Sequence, residues 1–298
     1  MESHSKQSAL ALFAIVIFVW GLNWTATAAI VQNVPPLWAS AIRTSIAAVA
    51  GFFLLASMRR LVVPKASDWS VVFSIALLHM VGFAAFIAIG LKLIPVGRSI
   101  VLGYTTPLWV IPGAWLLLGE RITWRGVIGA GFGLAGLAVI LNPLSLDWTD
   151  TAVLSGHLLI LLAALAWSLS ILYIRAHKWT ATPLQLLPWQ TLLATLTLCA
   201  LALFFEGLPP VSISAPSWAL LSYSGLIGTV GGYWAMTEVN RRLPASTTSV
   251  GVLGTPIVGI VSSWLLLGEK IEPTVVVAGL LIGFGIAMAF SAKVSAKL

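Results

Sequence analysis

The sequence holds two copies of one segment, and this internal repeat constrains the fold more than any other feature. A shift of 149 positions aligns the copies without a gap. The shift pairs Trp69 with Trp218, Gly82 with Gly231, Pro95 with Pro244, Thr106-Pro107 with Thr255-Pro256, and Trp-Leu-Leu-Leu-Gly-Glu at 115–120 with the same run at 264–269. Upstream the match loosens to Trp20 with Trp167 and Trp38 with Trp189. Two copies with an odd number of membrane spans each are inverted relative to one another, which is the build of a secondary transporter with its site between the halves.

The composition places this chain in a membrane. Hydrophobic residues make up 59% and charged residues 8%, whereas an average globular chain is about 25% charged. A transmembrane helix needs about 20 apolar residues, and a barrel strand about half as many in alternation. The long unbroken apolar runs therefore predict an all-α integral membrane protein with ten transmembrane helices. The predicted spans are approximately 10–30, 37–57, 70–91, 97–118, 124–141, 156–174, 185–205, 218–237, 246–267 and 274–291.

The repeat and the spans divide the chain into two five-helix units, residues 1–145 and 146–298. The connections between spans are short, so we expect no separate catalytic domain. Ala26-Thr27-Ala28 fits the cleavage pattern of a signal peptide. The apolar stretch before it is longer than a usual signal-peptide core, however, and it carries Trp20 and Asn23. We therefore expect the first span to be retained.

The positive charges orient the predicted helices. With the N-terminus inside, 12 Lys and Arg residues lie on the inner side and three on the outer side. The inner residues are Lys6, Arg59, Arg60, Lys65, Arg121, Arg125, Arg175, Lys178, Arg241, Arg242, Lys293 and Lys297, and the outer ones are Lys92, Arg98 and Lys270. Because Lys and Arg are enriched in cytoplasmic loops, both termini are predicted to be cytoplasmic. The net charge of +7 follows from this asymmetry and does not indicate a nucleic-acid partner.

Two prolines interrupt the spans at matched positions. Pro107 and Pro256 lie in the middle of the fourth and ninth predicted spans. A proline inside a helix removes one hydrogen bond and crowds the carbonyl four residues earlier, here that of Gly103 or Val252. The pair could act as flexible gates or form static kinks, and both interpretations remain open.

Glycine pairs in the fifth and tenth predicted spans indicate close helix packing. Gly129/Gly133 and Gly279/Gly283 have the spacing that lets two helix backbones approach. The contact could lie within one molecule or between two, so a monomer and a homodimer both remain open.

The duplicated unit resembles a known group of transporters. In each half a proline is followed by Trp-Leu-Leu-Leu-Gly-Glu-Arg/Lys-Ile, and these features are similar to the EamA-type repeats of the drug/metabolite transporter superfamily. The resemblance covers essentially the whole chain. Within the superfamily the chain looks most like the YddG-type amino-acid exporters, on the evidence of Trp20, Tyr104 and Trp167. The resemblance implies ten helices around a central cavity and export of aromatic and other neutral amino acids.

Ionisable residues are rare inside the predicted spans, where each costs at least about 2.5 kcal/mol. No Asp or Glu lies near the middle of a span. Arg43 either has a structural role, extending outward or bonding carbonyls at helix ends, or shapes the outer mouth and meets a substrate carboxylate. His79 is either a hydrogen-bonded structural group or a cavity residue that could carry a proton. Because the spans hold no cluster of Lys or Arg, we expect a neutral, zwitterionic or weakly charged substrate.

Aromatic and small polar residues supply the candidate lining. Trp20, Asn23, Trp24 and Thr27 share one face of the first helix. The substrate-binding candidates are Trp20, Asn23, His79, Phe83, Tyr104, Trp167, Ser170 and Tyr233, and the candidate gates are Pro107 and Pro256. Aromatic faces can stack on a planar substrate, while amides and hydroxyls bond its polar groups. Trp and Tyr also anchor helices at membrane surfaces, which is the alternative for these residues. No cofactor and no metal site are expected.

These features predict a multi-pass transporter of the bacterial inner membrane and not an enzyme. Its expected partners are membrane lipid and a small-molecule substrate, and we expect this substrate to be exported by alternating access without coupling to protons. The export direction follows from the resemblance alone. The alternatives are an exporter of another small neutral metabolite or drug, with or without proton coupling, and a channel-like pore. An intramembrane enzyme is disfavoured, because His79 has no acid beside it at the same depth.

Overall fold

The computed structural model of the protein describes residues 2–119, 124–142, 149–242, 252 and 254–295. Within these ranges the elements are helices. They are α1 (Glu2–Val31), α2 (Pro36–Ser57), α3 (Ala66–Ser74), α4 (Ala84–Gly90), α5 (Val96–Gly103), α6 (Thr106–Leu118), α7 (Trp124–Leu141), α8 (Thr151–Ala176), α9 (Pro183–Phe205), α10 (Ala215–Ser222), α11 (Gly232–Arg242), α12 (Gly254–Leu267) and α13 (Pro273–Ser295). Two π-helical segments complete the set: π1 (Ile75–Phe83) joins α3 to α4, and π2 (Tyr223–Gly231) joins α10 to α11.

Seven helical segments in the described ranges are long and apolar enough to cross a membrane. These segments correspond to the first seven predicted spans, and Gly254–Leu267 and Pro273–Met288 are shorter apolar helical segments. The all-helical membrane architecture is therefore confirmed, whereas the count of ten spans and the cytoplasmic termini stay predictions. Several predicted features lie outside the described residues: positions 246–251 and 253 of the ninth span, Arg121, Lys297 and the boundary between residues 145 and 146.

The outward faces of the helices are strongly apolar. Phe53 on α2 is 76% exposed, and Leu116 on α6 is 68% exposed. The inward faces carry small residues such as Ala47 and Ala194, which are fully buried. Large exposed apolar surfaces mark contact with membrane or partner, and here they belong to helices of membrane-spanning length.

Packing between the two halves is reciprocal. Helix α1 contacts α12 and π2, and α8, its counterpart in the repeat, contacts α6 and π1. The matched helices α2 and α9 contact one another, as do α7 and α13. Each contact has an equivalent in which the halves are exchanged, which is what a two-fold axis between repeats produces. This arrangement brings α1, α8, π1 and π2 together.

The fourth span is interrupted rather than kinked within one helix. Helix α5 ends at Gly103 and α6 begins at Thr106, so Pro107 is the second residue of α6. A proline is tolerated there because the first N–H groups of a helix have no partner within the helix. The Thr106 hydroxyl donates to the Gly103 carbonyl at 2.9 Å, which satisfies the carbonyl that Pro107 cannot reach. Pro256 likewise lies in the first turn of α12. A gating role for either proline stays a prediction.

Acids of the second half cap helices of the first half. Helices α2 and α5 follow Pro35 and Pro95 and have no side-chain cap of their own. Glu206 accepts hydrogen bonds from the backbone N–H groups of Leu37 and Trp38, both at 3.0 Å. Glu269 accepts one from the N–H of Val96 at 2.9 Å. A carboxylate at a helix start satisfies free donors and complements the helix dipole, so these contacts fix α2 and α5 against the other half.

Other charged residues also join the halves at helix ends. Buried Asp68, near the start of α3, accepts from the Thr180 N–H at 2.7 Å and from its hydroxyl at 2.9 Å, just before α9. Arg98 forms an ion pair of 2.7 Å with Glu272. These charged residues are therefore bonded at helix ends and are not free to bind a substrate in the bundle interior.

Candidate substrate site

A cavity of about 190 Å³ lies where the central helices meet. Its lining comes from both halves: Trp20, Asn23, Trp24, Thr27, Ile30, Ala39, Ser40, Arg43, Thr44, His79, Met80, Phe83, Ala84, Ile87, Tyr104, Trp167, Gly228, Thr229 and Tyr233. Tyr104 reaches the cavity from the two-residue interruption between α5 and α6. The break between α5 and α6 thus has two effects: it accommodates Pro107 and it lets the Tyr104 side chain face the cavity.

The structure brings together all but one of the predicted substrate-binding residues. Ser170 does not line the cavity: it is 1% exposed, and its hydroxyl has no hydrogen-bond partner among the described residues. It lies three residues from Trp167 on α8 but is enclosed by packed helices. Pro107 lines a separate void of about 10 Å³ between α6, α7 and α13. Whether the cavity residues bind substrate stays a prediction.

One wall of the cavity is a stack of rings between π1 and α8. The His79 and Trp167 rings are nearly parallel, with centroids 5.5 Å apart and an interplanar angle of 9°. Phe83 lies 5.1 Å from Trp167, and the Trp24 ring meets Phe83 edge-on at 6.4 Å. The hydroxyl of Tyr233 and Nδ1 of His79 are hydrogen-bonded at 3.1 Å. Such a wall offers flat π faces with defined spacing, which suits a planar apolar group.

A second wall is held by hydrogen bonds between α1 and π2. The Trp20 indole N–H donates to the Gly228 carbonyl at 3.1 Å, and Ser224 donates to the side-chain oxygen of Asn23. A Cβ added at Gly232 would lie 2.4 Å from Trp20 Nε1, and one at Gly228 would lie 3.0 Å from the Asn23 side-chain oxygen. Glycines at these positions therefore let α1 approach the π2 backbone closely enough to bond it.

Arg43 carries the one formal positive charge among the described lining residues. Within the described part of the chain it has no ion pair, and the hydrogen bonds to helix-end carbonyls expected of a structural role are not found. The neighbouring Thr44 accepts a 3.0 Å hydrogen bond from Thr195, which holds α2 against α9 at this level. The described residues also contain no group of three His, Cys, Asp or Glu that could hold a metal ion.

The two π-helical segments are the part of the site that the sequence did not predict. A π-helix inserts an extra residue in a turn and often occurs at functional sites. Hydropathy and helical periodicity do not distinguish it from an α-helix. The available signal was the aligned pair Gly82 and Gly231, which fall at the ends of π1 and π2. The acids at helix starts were also missed, although Glu269 belongs to the repeated motif.

Comparison with known proteins identifies relatives along nearly the whole length. The "Uncharacterized transporter YoaV" of Bacillus subtilis (strain 168) is 26% identical over 274 residues, which cover 92% of this chain and 93% of the relative. A "Probable amino-acid metabolite efflux pump" of Escherichia coli (strain K12) is 26% identical over 275 residues, or 89% and 88% of the two chains. A crystal structure with 22% identity matches with a TM-score of 0.65 over 98% of this chain and 99% of the other, which shows the same fold.

The family assignment covers both halves. The EamA-like transporter family matches residues 7–142 and again residues 154–291. These two matches agree with the resemblance to EamA-type repeats, and the relatives and the apolar helices agree with a multi-pass protein of the bacterial inner membrane. The chain belongs to the EamA-like transporter family and is a membrane transporter.

Proposed function

We propose that the protein exports small metabolites with an aromatic or other apolar body, above all aromatic and other neutral amino acids. The observation that carries this proposal is the cavity between the two halves, with ring systems from both halves in its walls. Transporters built from repeats bind their substrates at the interface between the repeats. A similarity to a "Probable amino-acid metabolite efflux pump" supports the same substrate class. The resemblance of Trp20, Tyr104 and Trp167 to YddG-type exporters supports it as well.

The size of the cavity suits one ring with a short polar end. An engineered protein cavity of about 150 Å³ binds benzene, and this cavity has about 190 Å³. A planar side chain could lie against the stack of His79 and Trp167, with the polar end toward Asn23 or Arg43. Substrates with several fused rings and a long tail would need a more open state.

Alternating access supplies the route. Substrate would enter from the cytoplasm, bind beside Trp20 and Trp167, and leave when the outer side opens around α5, α6 and α12. The ion pair of Arg98 with Glu272 and the contact of Glu269 with Val96 join these elements. Opening would break them, so they are candidates for the outer closure.

We propose that export is facilitated, driven by the concentration gradient of the substrate and not by protons. No carboxylate lines the cavity within the described ranges, and a carboxylate is a common proton carrier in transporters. If transport is nevertheless coupled to protons, His79 is the candidate carrier. Replacing His79 by Ala would then abolish the dependence of uptake on a pH gradient, and an unchanged dependence would remove His79 from the mechanism.

Uptake into proteoliposomes tests the proposal. Labelled phenylalanine, tryptophan, threonine and lysine are compared with and without an imposed pH gradient. We expect saturable uptake and counterflow of the neutral amino acids, little effect of the gradient and little uptake of lysine. Trp115→Ala is the control variant, because the Trp115 side chain is 53% exposed on the surface of α6 and does not line the cavity.

The same assay separates the alternatives. Uptake that neither saturates nor shows counterflow would indicate a channel-like pore. No amino-acid flux from correctly folded protein would refute the proposed substrate class and leave another small neutral metabolite or drug. An intramembrane enzyme would need a catalytic acid or nucleophile beside His79, and the ring contacts of His79 are with Phe83, Trp167 and Tyr233.

A further inference from the structure

The cavity has an uneven charge: it presents a cation and, among the described lining residues, no anion. Arg43 lies inside α2 rather than at its end, and its side chain lines the cavity. A guanidinium stays charged at any physiological pH and offers five N–H donors in a fork that matches a carboxylate. A charged side chain within a membrane span is costly unless it is paired. Because Arg43 has no ion pair among the described residues, a bound anion is the partner that would offset this cost.

The backbone that carries Arg43 is firmly placed. A Cβ at Gly225 would lie 2.9 Å from the Arg43 carbonyl, so α2 crosses π2 in close contact at this residue. On the other side, the hydroxyl bond between Thr195 and Thr44 holds α2 to α9. A guanidinium on a backbone fixed from two sides is preorganised for one ligand position.

The acids that could balance a substrate ammonium are engaged elsewhere. Glu206, Glu269 and Asp68 accept hydrogen bonds from backbone N–H groups at helix ends, and Glu272 pairs with Arg98. Two acceptors in the cavity already receive a hydrogen bond: the Gly228 carbonyl from Trp20, and the Asn23 side-chain oxygen from Ser224. Among the described lining residues an ammonium group would therefore meet no carboxylate, and it would be repelled by Arg43.

We propose that Arg43 binds the carboxylate of the substrate and that the substrate needs no amino group. The cavity then accepts aromatic carboxylates without an amine, such as arylalkanoate anions, at least as well as the corresponding zwitterionic amino acids. This inference rests on the proposed function, because it takes the cavity as the transport site for small aromatic metabolites. It extends the substrate class from amino acids to aromatic acids.

Three compounds with one aromatic body and different charges provide the test. L-Phenylalanine is a zwitterion, 3-phenylpropionate an anion and 2-phenylethylamine a cation at pH 7. Each competes with labelled L-phenylalanine for purified detergent-solubilised protein, a format that avoids passive leakage across vesicles. We expect 3-phenylpropionate to compete at the same concentration as L-phenylalanine or lower, and 2-phenylethylamine to require at least tenfold more.

Variants at Arg43 locate the effect. Arg43→Gln should weaken both carboxylate compounds at least tenfold and leave 2-phenylethylamine unchanged or stronger. Arg43→Lys keeps the charge but loses the fork, so it should weaken both carboxylates several-fold in the same rank order, and it serves if the glutamine variant does not fold. Arg125→Gln removes the same charge from an exposed position outside the cavity and should change nothing.

The outcomes separate this inference from the proposed function. If L-phenylalanine binds and 3-phenylpropionate needs tenfold more, the amino group is required; the inference is then wrong while the proposed function stands. If both carboxylates bind but Arg43→Gln affects neither, Arg43 is not their partner. If no phenyl compound binds the wild-type protein, the proposed function itself is refuted.

Discussion

The segments π1 and π2 occupy equivalent places in the two repeats, yet they contribute to the cavity walls in different ways. In π1 the central residue is His79, whose ring stacks on Trp167. In π2 the aligned residue is Gly228, whose carbonyl accepts the indole N–H of Trp20. Trp20 and Trp167 are themselves counterparts in the repeat. One wall is therefore formed by side chains, and the other by a backbone that a tryptophan bonds directly.

This difference shows how a duplicated scaffold acquires an asymmetric site. A symmetric cavity would present two histidines or two glycines and would bind a ligand in two equivalent orientations. Here the ring stack can receive a planar group, while Asn23 and Arg43 give the first half a polar side. The asymmetry comes from single residues on a shared backbone, so single substitutions should remove it.

The largest effect is expected from removing the stacked wall. Trp167→Ala deletes the ring that contacts both His79 and Phe83. Aromatic pairs contribute about 0.5–1.5 kcal/mol beyond the area they bury, and the half-buried Trp167 ring makes two such contacts. We expect the affinity for phenylalanine to fall by at least about tenfold, a factor that corresponds to 1.4 kcal/mol. Competition binding measures the change.

Trp115→Ala is the matched control for this change and should bind normally. Equal losses in the two variants would mean that Trp167 acts through general stability rather than through the cavity. Thermal unfolding of each purified variant distinguishes these cases.

A smaller effect is expected from forcing a side chain into the backbone wall. Gly232→Ala places a methyl group 2.4 Å from Trp20 Nε1 in the unrelaxed structure. Overpacking costs about 1–3 kcal/mol, so we expect a lower thermal midpoint together with weaker substrate binding. Gly131→Ala is the control, since its added methyl has no neighbour within 4 Å. A midpoint for Gly232→Ala equal to that of Gly131→Ala would show that α1 does not need this close approach.

The hydrogen bond between His79 and Tyr233 should contribute less. His79→Phe keeps a flat ring beside Trp167 but removes the bond to Tyr233, and one such hydrogen bond contributes about 0.5–1.5 kcal/mol. We expect a loss of binding of severalfold, and the same loss for Tyr233→Phe. The double variant should lose little more than either single one, because both remove one interaction. Full additivity in the competition assay would contradict this coupling.

The smallest effect is expected from replacing either of the two matched tryptophans, Trp20 or Trp167, by phenylalanine. Trp20→Phe loses the hydrogen bond to Gly228, about 1 kcal/mol. Trp167→Phe keeps a stacking ring, and the Trp167 indole N–H has no hydrogen-bond partner in the described ranges. We therefore expect Trp20→Phe to lower the thermal midpoint more than Trp167→Phe. The reverse order would mean that stacking area outweighs the backbone bond at this pair.

Much of the fold follows from the sequence, because spans are set by hydropathy and repeats by direct alignment. Trp20, His79 and Tyr104 could be placed near a cavity because they are polar or aromatic residues deep in apolar helices. The rest depends on contacts between distant segments. Helical spacing put Ser170 on the same face as Trp167, yet Ser170 is buried and does not line the cavity. The sequence left open where the Arg43 side chain points, because a long side chain within a span can extend toward the membrane surface or into the cavity.

The caps contributed by Glu206 and Glu269 have a consequence for how the protein is made. Both acids follow residue 200 in the chain, whereas the helix ends they complete, at Leu37 and Val96, are synthesised much earlier. Until the second half has been made, these N–H groups lack their carboxylate acceptors and depend on water or other groups at the helix ends. The helix starts of the first repeat therefore gain their final hydrogen bonds only after the second repeat has been synthesised.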